Sequence, residues 1–248
     1  MNYVKMAILI AILIIALVSS FWVLSGRFSG SQTDNEGNLM SNLEQTKTIM
    51  WIGAHPDDEV YVAGLLAYAS KVEKKKCVIV SFIYTPEKRS LNEESASYLG
   101  CEYVYLEKIS GKTWEDKLRA VLLKYRPGIV VTFDPANGFR GLKAHIIAAE
   151  ITEKLIKKEF KNTKLYYVLN KDPILAQLLN GPQDPTTPTD ELNLDISYPE
   201  LGSTLWQAKL HVIAIYKDAV PACRKIVDNV DNMQEKIIHK EFYAAADG

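Results

Sequence analysis

The stretch that most limits what this chain can fold into is residues 51–59, WIGAHPDDE, where an apolar run stops at one histidine, one proline and three consecutive carboxylates. Residues 47–54 (KTIMWIGA) have the β-branched and aromatic content of a short core strand, and residues 60–72 set apolar side chains at helical spacing. The polar cluster therefore falls at a strand-to-helix turn. In an open α/β sheet such turns gather at the carboxyl edge of the strands, where ligands bind and the next helix offers unpaired N–H groups and a positive dipole end.

His55 and Asp58 stand three residues apart across Pro56, a spacing that lets an imidazole and a carboxylate converge on one cation if the turn is tight. That donor pair suits zinc ahead of iron or manganese, and leaves Asp57 between them to handle protons. A plain helix cap is the competing reading, with Asp57 or Asp58 at the N-cap and Glu59 in the first turn. Capping explains one or two acids, but neither the histidine nor three acids in a row.

The AHPDDE run after a hydrophobic strand resembles the signature of the PIG-L/LmbE-type de-N-acetylases, zinc-dependent enzymes that remove acetyl from N-acetylglucosamine in glycolipid, mycothiol or antibiotic precursors. The resemblance implies that His55 and Asp58 match two zinc ligands and that Asp57 matches the general base. It covers residues 47 to about 219 in pattern, and this first motif is its specific part.

Zinc with an open position needs a third protein ligand, and the chain has four histidines: His55, His145, His211 and His239. His145 follows an expected strand at 128–133 (GIVVTF) across the loop DPANGFRGLKA, again at the edge where a sheet gathers ligands. In the family this loop ends in Gly-His-x-x-His, whose last histidine binds the metal. Here Gly141 and His145 are kept, Leu142 stands where the earlier histidine would be, and Ala144 replaces the aspartate that often precedes the ligand. The resemblance thus implies a zinc site of His55, Asp58 and His145 without the non-ligand histidine that helps hold the oxyanion. Arg140, in the turn between Gly138 and Gly141, is the first candidate for a substitute cation, ahead of Lys143 and His211. His239 is expected to face solvent.

At the amino terminus, residues 6–24 (MAILIAILIIALVSSFWVL) contain no charge, and as a helix rising about 1.5 Å per residue they reach about 28 Å, close to a bilayer's hydrocarbon thickness. A cleaved signal peptide competes with this reading, since Lys5 precedes the run. The length of the run and Trp22 at its far end favour an uncleaved anchor, residues 1–24, with the remaining chain outside the cytoplasm. Residues 25–45, rich in Ser, Gly, Asn and Gln, read as a flexible linker, and the folded domain is expected over residues 46–248.

Within that domain, strand and helix signals alternate. Strands are expected at 76–84, 102–106, 128–133 and 164–169, and helices at 91–99, ended by Gly100, at 114–125 and at 143–160. Such alternation predicts a Rossmann-like, mostly parallel sheet with helices on both faces. Beyond it, residues 180–190 (NGPQDPTTPTD) must be loop, either a rim over the site or a solvated excursion. Residues 192–196 read as a strand, 204–216 as a helix, and 221–238 contain at least one more.

Cys77 and Cys101, at expected strand starts, read as small buried hydrophobes; with Cys223 they make an odd count that argues against a disulfide scaffold. A formal net charge of -1 gives no electrostatic footprint for nucleic acid. The expectation is a membrane-tethered zinc hydrolase that removes acetyl from an N-acetylated amino sugar, glycoconjugate or related amide. The alternatives are a non-catalytic glycan-binding or scaffold protein on the same fold and, more distantly, a metal-dependent phosphoesterase, for which no Gly-rich phosphate loop is present.

Overall fold

The computed structural model describes residues 38–111, 113–178, 181–233 and 237–246. The expected anchor or signal segment, and the linker up to residue 37, lie outside the described residues. Among the described residues no helix is long and apolar enough to cross a membrane.

In chain order the elements begin with α1 (Leu39–Gln45), β1 (Thr48–Gly53), α2 (Ala63–Ala67), β2 (Lys76–Ser81), α3 (Arg89–Leu99) and β3 (Cys101–Tyr105). Next come α4 (Trp114–Tyr125), β4 (Ile129–Phe133), α5 (Lys143–Glu159), β5 (Lys164–Leu169) and α6 (Pro173–Leu178). The described chain continues through β6 (Asp190–Asn193), β7 (Ser197–Tyr198), β8 (Ser203–Thr204), α7 (Leu205–Ile215), α8 (Pro221–Met233) and β9 (Lys240–Ala245).

The main sheet has the order β3-β2-β1-β4-β5-β9-β6. Its first five strands are parallel, and β9 pairs antiparallel with both β5 and β6. Strand β1 is buried along its whole length, and its side chains divide by the two-residue period of a strand. Ile49 and Trp51 join one core with Leu43, Leu65, Leu66 and Val212, whereas Met50 and Ile52 join a second with Leu118, Leu122 and Leu155. Two apolar faces on one sheet require helices on both, which is the mostly parallel, two-sided α/β fold expected from the alternation. The crossovers from β1 and β4 leave to opposite sides, so these two neighbours flank the topological switch point where such sheets bind ligands.

Three expectations are corrected. The flexible linker does not extend to residue 45: α1 belongs to the folded unit, with Leu39 and Leu43 in the core and the Leu39 N–H donating to Asp190 Oδ1 at 2.7 Å. Cys77 and Cys101 are not merely small hydrophobes; the parallel register sets them opposite one another, their Cα atoms 4.6 Å apart, and a disulfide joins them. The strand expected at 192–196 lies at Asp190–Asn193, paired with β9, which the sequence reading did not foresee.

Candidate metal centre

Past Gly53 the chain turns sharply into a 3-10 turn at Asp58–Val62. A Cβ on Gly53 would stand 2.9 Å from Asp58 Cβ, so only glycine at the strand end lets Asp58 fold back over it. Asp58 Oδ2 then accepts the N–H groups of Ala54 at 2.8 Å and His55 at 2.7 Å. Asp57 adopts φ 102° and ψ −13°, a left-handed conformation that a non-glycine residue holds at a cost of order 1–3 kcal/mol and that clusters at functional sites.

The second half of the centre comes from the neighbouring strand. After β4, Asp134 accepts the Ala136 N–H at 2.8 Å, the Asn137 side-chain amide at 2.7 Å and the Thr186 hydroxyl at 2.7 Å. Gly138, Phe139, Arg140 and Gly141 all have positive φ, a tight reversal that delivers the chain into α5 with His145 as its third residue. The His145 ring stacks on Phe133 at 3.8 Å, and its Nδ1–H donates to the Gly138 carbonyl at 2.9 Å. In the neutral imidazole that bond puts the proton on Nδ1 and the lone pair on Nε2, the orientation a metal-binding imidazole needs.

His55 Nδ1 lies 3.2 Å from His145 Nε2, His145 Nε2 lies 3.3 Å from Asp58 Oδ1, and His55 Nδ1 lies 3.6 Å from Asp58 Oδ2. A tetrahedral zinc ion with bonds of about 2.0–2.1 Å spaces its ligands about 3.3–3.4 Å apart, and the two contacts of His145 Nε2, to His55 Nδ1 and to Asp58 Oδ1, come close to that edge, so the two imidazoles and the carboxylate fit zinc. Among the described residues it is the one group of three histidine, cysteine or acidic side chains close enough to hold a metal ion.

The electrostatics match. Burial works against ionisation of Asp58, yet His145 and His55 hold its carboxyl well below the usual range. Its hydrogen bond to His55 raises that imidazole's pKa against the effect of burial. Asp57 is pushed up to about 6 by burial and by the charge of Asp58, while Lys88, with Nζ 2.6 Å from Asp57 Oδ1, pulls the other way. Glu59 points into the core: burial lifts it to about 7, and it accepts hydrogen bonds from Ser95 and Tyr216. Of the three consecutive acids, one belongs to the donor set, one faces the cleft and one braces the turn against α3 and α7.

The triad opens into a cleft of about 210 Å³, lined also by Asp57, Tyr61, Lys88, Arg140 and Leu142. Arg140 lines the cleft beside Tyr61, and it packs so closely on the 181–189 loop that a Cβ at Gly181 would come within 2.7 Å of its side chain. This loop is tied down through Thr186 to Asp134 and through Asp184 to the Asn170 N–H at 2.7 Å, which makes it a rim beside Arg140. Lys143 is exposed outside the cleft lining, and the exposed His211 stacks on Tyr98 at 4.0 Å. His239 stacks on Trp206 at 4.4 Å, contrary to the expectation that it faces solvent. The sequence reading missed Lys88 and Tyr61. Lys88's one signal was its place just past β2, at the same sheet edge as His55.

No protein-family model matches the chain, and no curated protein sequence matches it. Solved structures match the fold. N,N'-diacetylchitobiose deacetylase from Pyrococcus horikoshii is 15% identical, with 85% of this chain and 88% of that chain covered, at a TM-score of 0.55. A deacetylase of the teicoplanin biosynthesis pathway is 11% identical over 81% of this chain and 99% of that one, at 0.54. GalB, the 4-carboxy-2-hydroxymuconate hydratase of Pseudomonas putida KT2440, is 13% identical over 82% and 97%, also at 0.54. At these identities the likeness establishes the fold, and the fold carries deacetylases and a hydratase alike, so the reaction must be argued from the site.

Proposed function

We propose that the chain is a zinc-dependent de-N-acetylase of the PIG-L/LmbE type, releasing acetate and a free amine from an N-acetylated amino sugar or related amide. The observation that carries this reading is the convergence of His55, Asp58 and His145, with both contacts of His145 Nε2 near the edge length of a zinc tetrahedron and a carboxylate outside the donor set, Asp57, on the adjoining residue. Structural neighbours named as deacetylases of diacetylchitobiose and of the teicoplanin pathway support the acetamide as the group attacked.

His55, Asp58 and His145 would hold the zinc ion, which would supply a Lewis acid able to acidify a water and polarise the acetamide carbonyl. Asp57 takes a proton from the attacking water as its oxygen adds to the carbonyl carbon, then gives that proton to the amine nitrogen as the C–N bond breaks. The Gly138 carbonyl keeps His145 in the ligating tautomer, and the Ala54 and His55 N–H groups hold the Asp58 carboxylate. Arg140 is assigned to the carbonyl oxygen, where its cation substitutes for the histidine replaced by Leu142. A single-pass anchor at residues 1–24 with an outward-facing domain is part of the proposal, and the Cys77–Cys101 bridge supports it, since disulfides persist in oxidising compartments.

Leu142, 37% exposed at the cleft, favours one second reading, a glycan-binding protein that keeps the fold and the metal without turnover. Elemental analysis of the purified chain together with acetate release from N-acetylglucosamine and N,N'-diacetylchitobiose separates the two. One zinc per chain with acetate released is the expected result. Bound zinc with no acetate from either sugar replaces the enzyme by the binding protein.

A further inference from the structure

The two neighbouring aspartates of the turn are held in different ways. Asp58 is fixed by two backbone N–H groups of its own turn, whereas no side-chain cap bond forms at Asp57. The Asp57 carboxylate instead accepts a hydrogen bond from Lys88 Nζ, at 2.6 Å. The same ammonium reaches the Pro56 carbonyl at 3.4 Å, so one cation touches both the side chain of the strained residue and the peptide that precedes it. Lys88 and Asp57 side chains are only 22% and 18% exposed, which sets the pair apart from the solvated ion pairs of the surface.

Lys88 is brought there by the backbone. Past the ends of β1 and β2 the ladder continues, with the Phe82 N–H donating to the Gly53 carbonyl at 3.2 Å and the Ile83 N–H to the Ala54 carbonyl at 2.9 Å. The chain then enters a 3-10 turn at Pro86–Lys88, started by a proline whose ring presets φ and closed by the Lys88 N–H on the Thr85 carbonyl at 3.0 Å. The lysine's base is therefore rigidly joined to the turn that carries the aspartate.

We propose that Lys88 is a positioning residue: its ammonium holds Asp57 in the left-handed conformation and aims the carboxylate at the cleft. The inference rests on the proton-handling role proposed above for Asp57, but its geometric content stands apart from it. A neutral side chain at 88 frees the carboxylate to swing and the turn to relax. A guanidinium at 88 keeps the charge-assisted hydrogen bond.

The test compares the full chain with Lys88→Met and Lys88→Arg. Zinc content stays at the parent level in both, because Lys88 touches none of His55, Asp58 and His145. With N,N'-diacetylchitobiose as probe, Lys88→Met lowers kcat about 10- to 100-fold, the cost of misplacing a reacting group by about 1 Å. KM stays within about threefold, and Lys88→Arg recovers most of the rate, a split that general destabilisation does not produce. Amide hydrogen exchange across residues 54–59 accelerates at least about tenfold in Lys88→Met and not in Lys88→Arg. Parent-like kcat in Lys88→Met, or Lys88→Arg as slow as Lys88→Met, overturns the proposal. If the parent releases no acetate, the deacetylase reading fails by itself and exchange alone decides: an unchanged turn in Lys88→Met overturns the role of Lys88.

Discussion

His55 Nδ1 stands 3.2 Å from His145 Nε2 although 90 residues separate them in the chain, and with the His145 proton committed to Gly138, its facing nitrogen offers a lone pair. A cation between the rings turns this contact into ligation. Zinc at about 100 times its dissociation constant should therefore raise stability by about 2.7 kcal/mol. The thermal midpoint of the parent rises with zinc and falls with chelator, while His145→Ala shows neither response and binds less than one zinc per chain.

Asp57→Asn keeps the shape of the side chain and one acceptor for Lys88 but removes the base. Acetate release should fall about 10²- to 10⁴-fold with zinc retained, as for loss of a general acid–base group. Comparing rate with metal content in one preparation checks it, and an unchanged rate assigns the proton to another group.

Arg140→Ala should slow the reaction about 10²- to 10³-fold without releasing zinc, the usual cost of an oxyanion donor. Adding Leu142→His to that variant restores part of the rate, because an imidazole at the helix start reaches into the same cleft. If the double variant is as slow as Arg140→Ala while the parent is active, the oxyanion contact lies elsewhere.

Lys209 and Glu241 form an ion pair in the core at 2.7 Å, with Lys209 Nζ also donating to the Tyr61 carbonyl at 2.8 Å. Lys209→Met leaves the buried carboxylate with neutral donors only, among them the Gly64 and Leu65 N–H groups and the Tyr243 hydroxyl, and should cost about 3–5 kcal/mol in urea unfolding.

Burial first, and then the nearby Asp134, lift the Asp184 carboxyl to about 6, against the Asn170 N–H that favours the ion. A raised native pKa means the folded state binds the proton more tightly than the unfolded chain. The contribution of this group to stability is full below about pH 4 and is lost as pH rises through about 6. Asp184→Asn should therefore stabilise the protein at pH 7.5 relative to the parent and do little at pH 4. Equal urea midpoint shifts at the two pH values refute this.

Much of this architecture was legible in the chain because buried parallel strands are continuous apolar runs: TIMWIG, KCVIVS, IVVTF and KLYYVL each mark a strand that exists. His55, Asp58 and His145 were legible because each follows such a run at the edge where strands end. Helix α1 was not, since its two buried residues, Leu39 and Leu43, make one repeat of the helical period among polar neighbours. Strand β9 was hidden in KEFYAA, whose alternation gains meaning only once β5 and β6 are known to stand on either side. Lys88 had only its place just past β2 to mark it, for a similar reason. Its charge acquires a partner through the pairing of β1 with β2, which no local pattern announces.

The carboxylate of Glu241 accepts the Gly64 and Leu65 N–H groups, both at 2.9 Å, and so caps the helix behind the metal-binding turn from a strand 177 residues beyond Gly64. On the ribosome, His55, Asp58 and His145 have all emerged well before that cap exists. Until β9 slides between β5 and β6, the start of α2 and the Lys209 ammonium wait without their counterpart. The N–H groups at the start of this helix therefore gain their carboxylate partner only when closure of the sheet brings β9 into place.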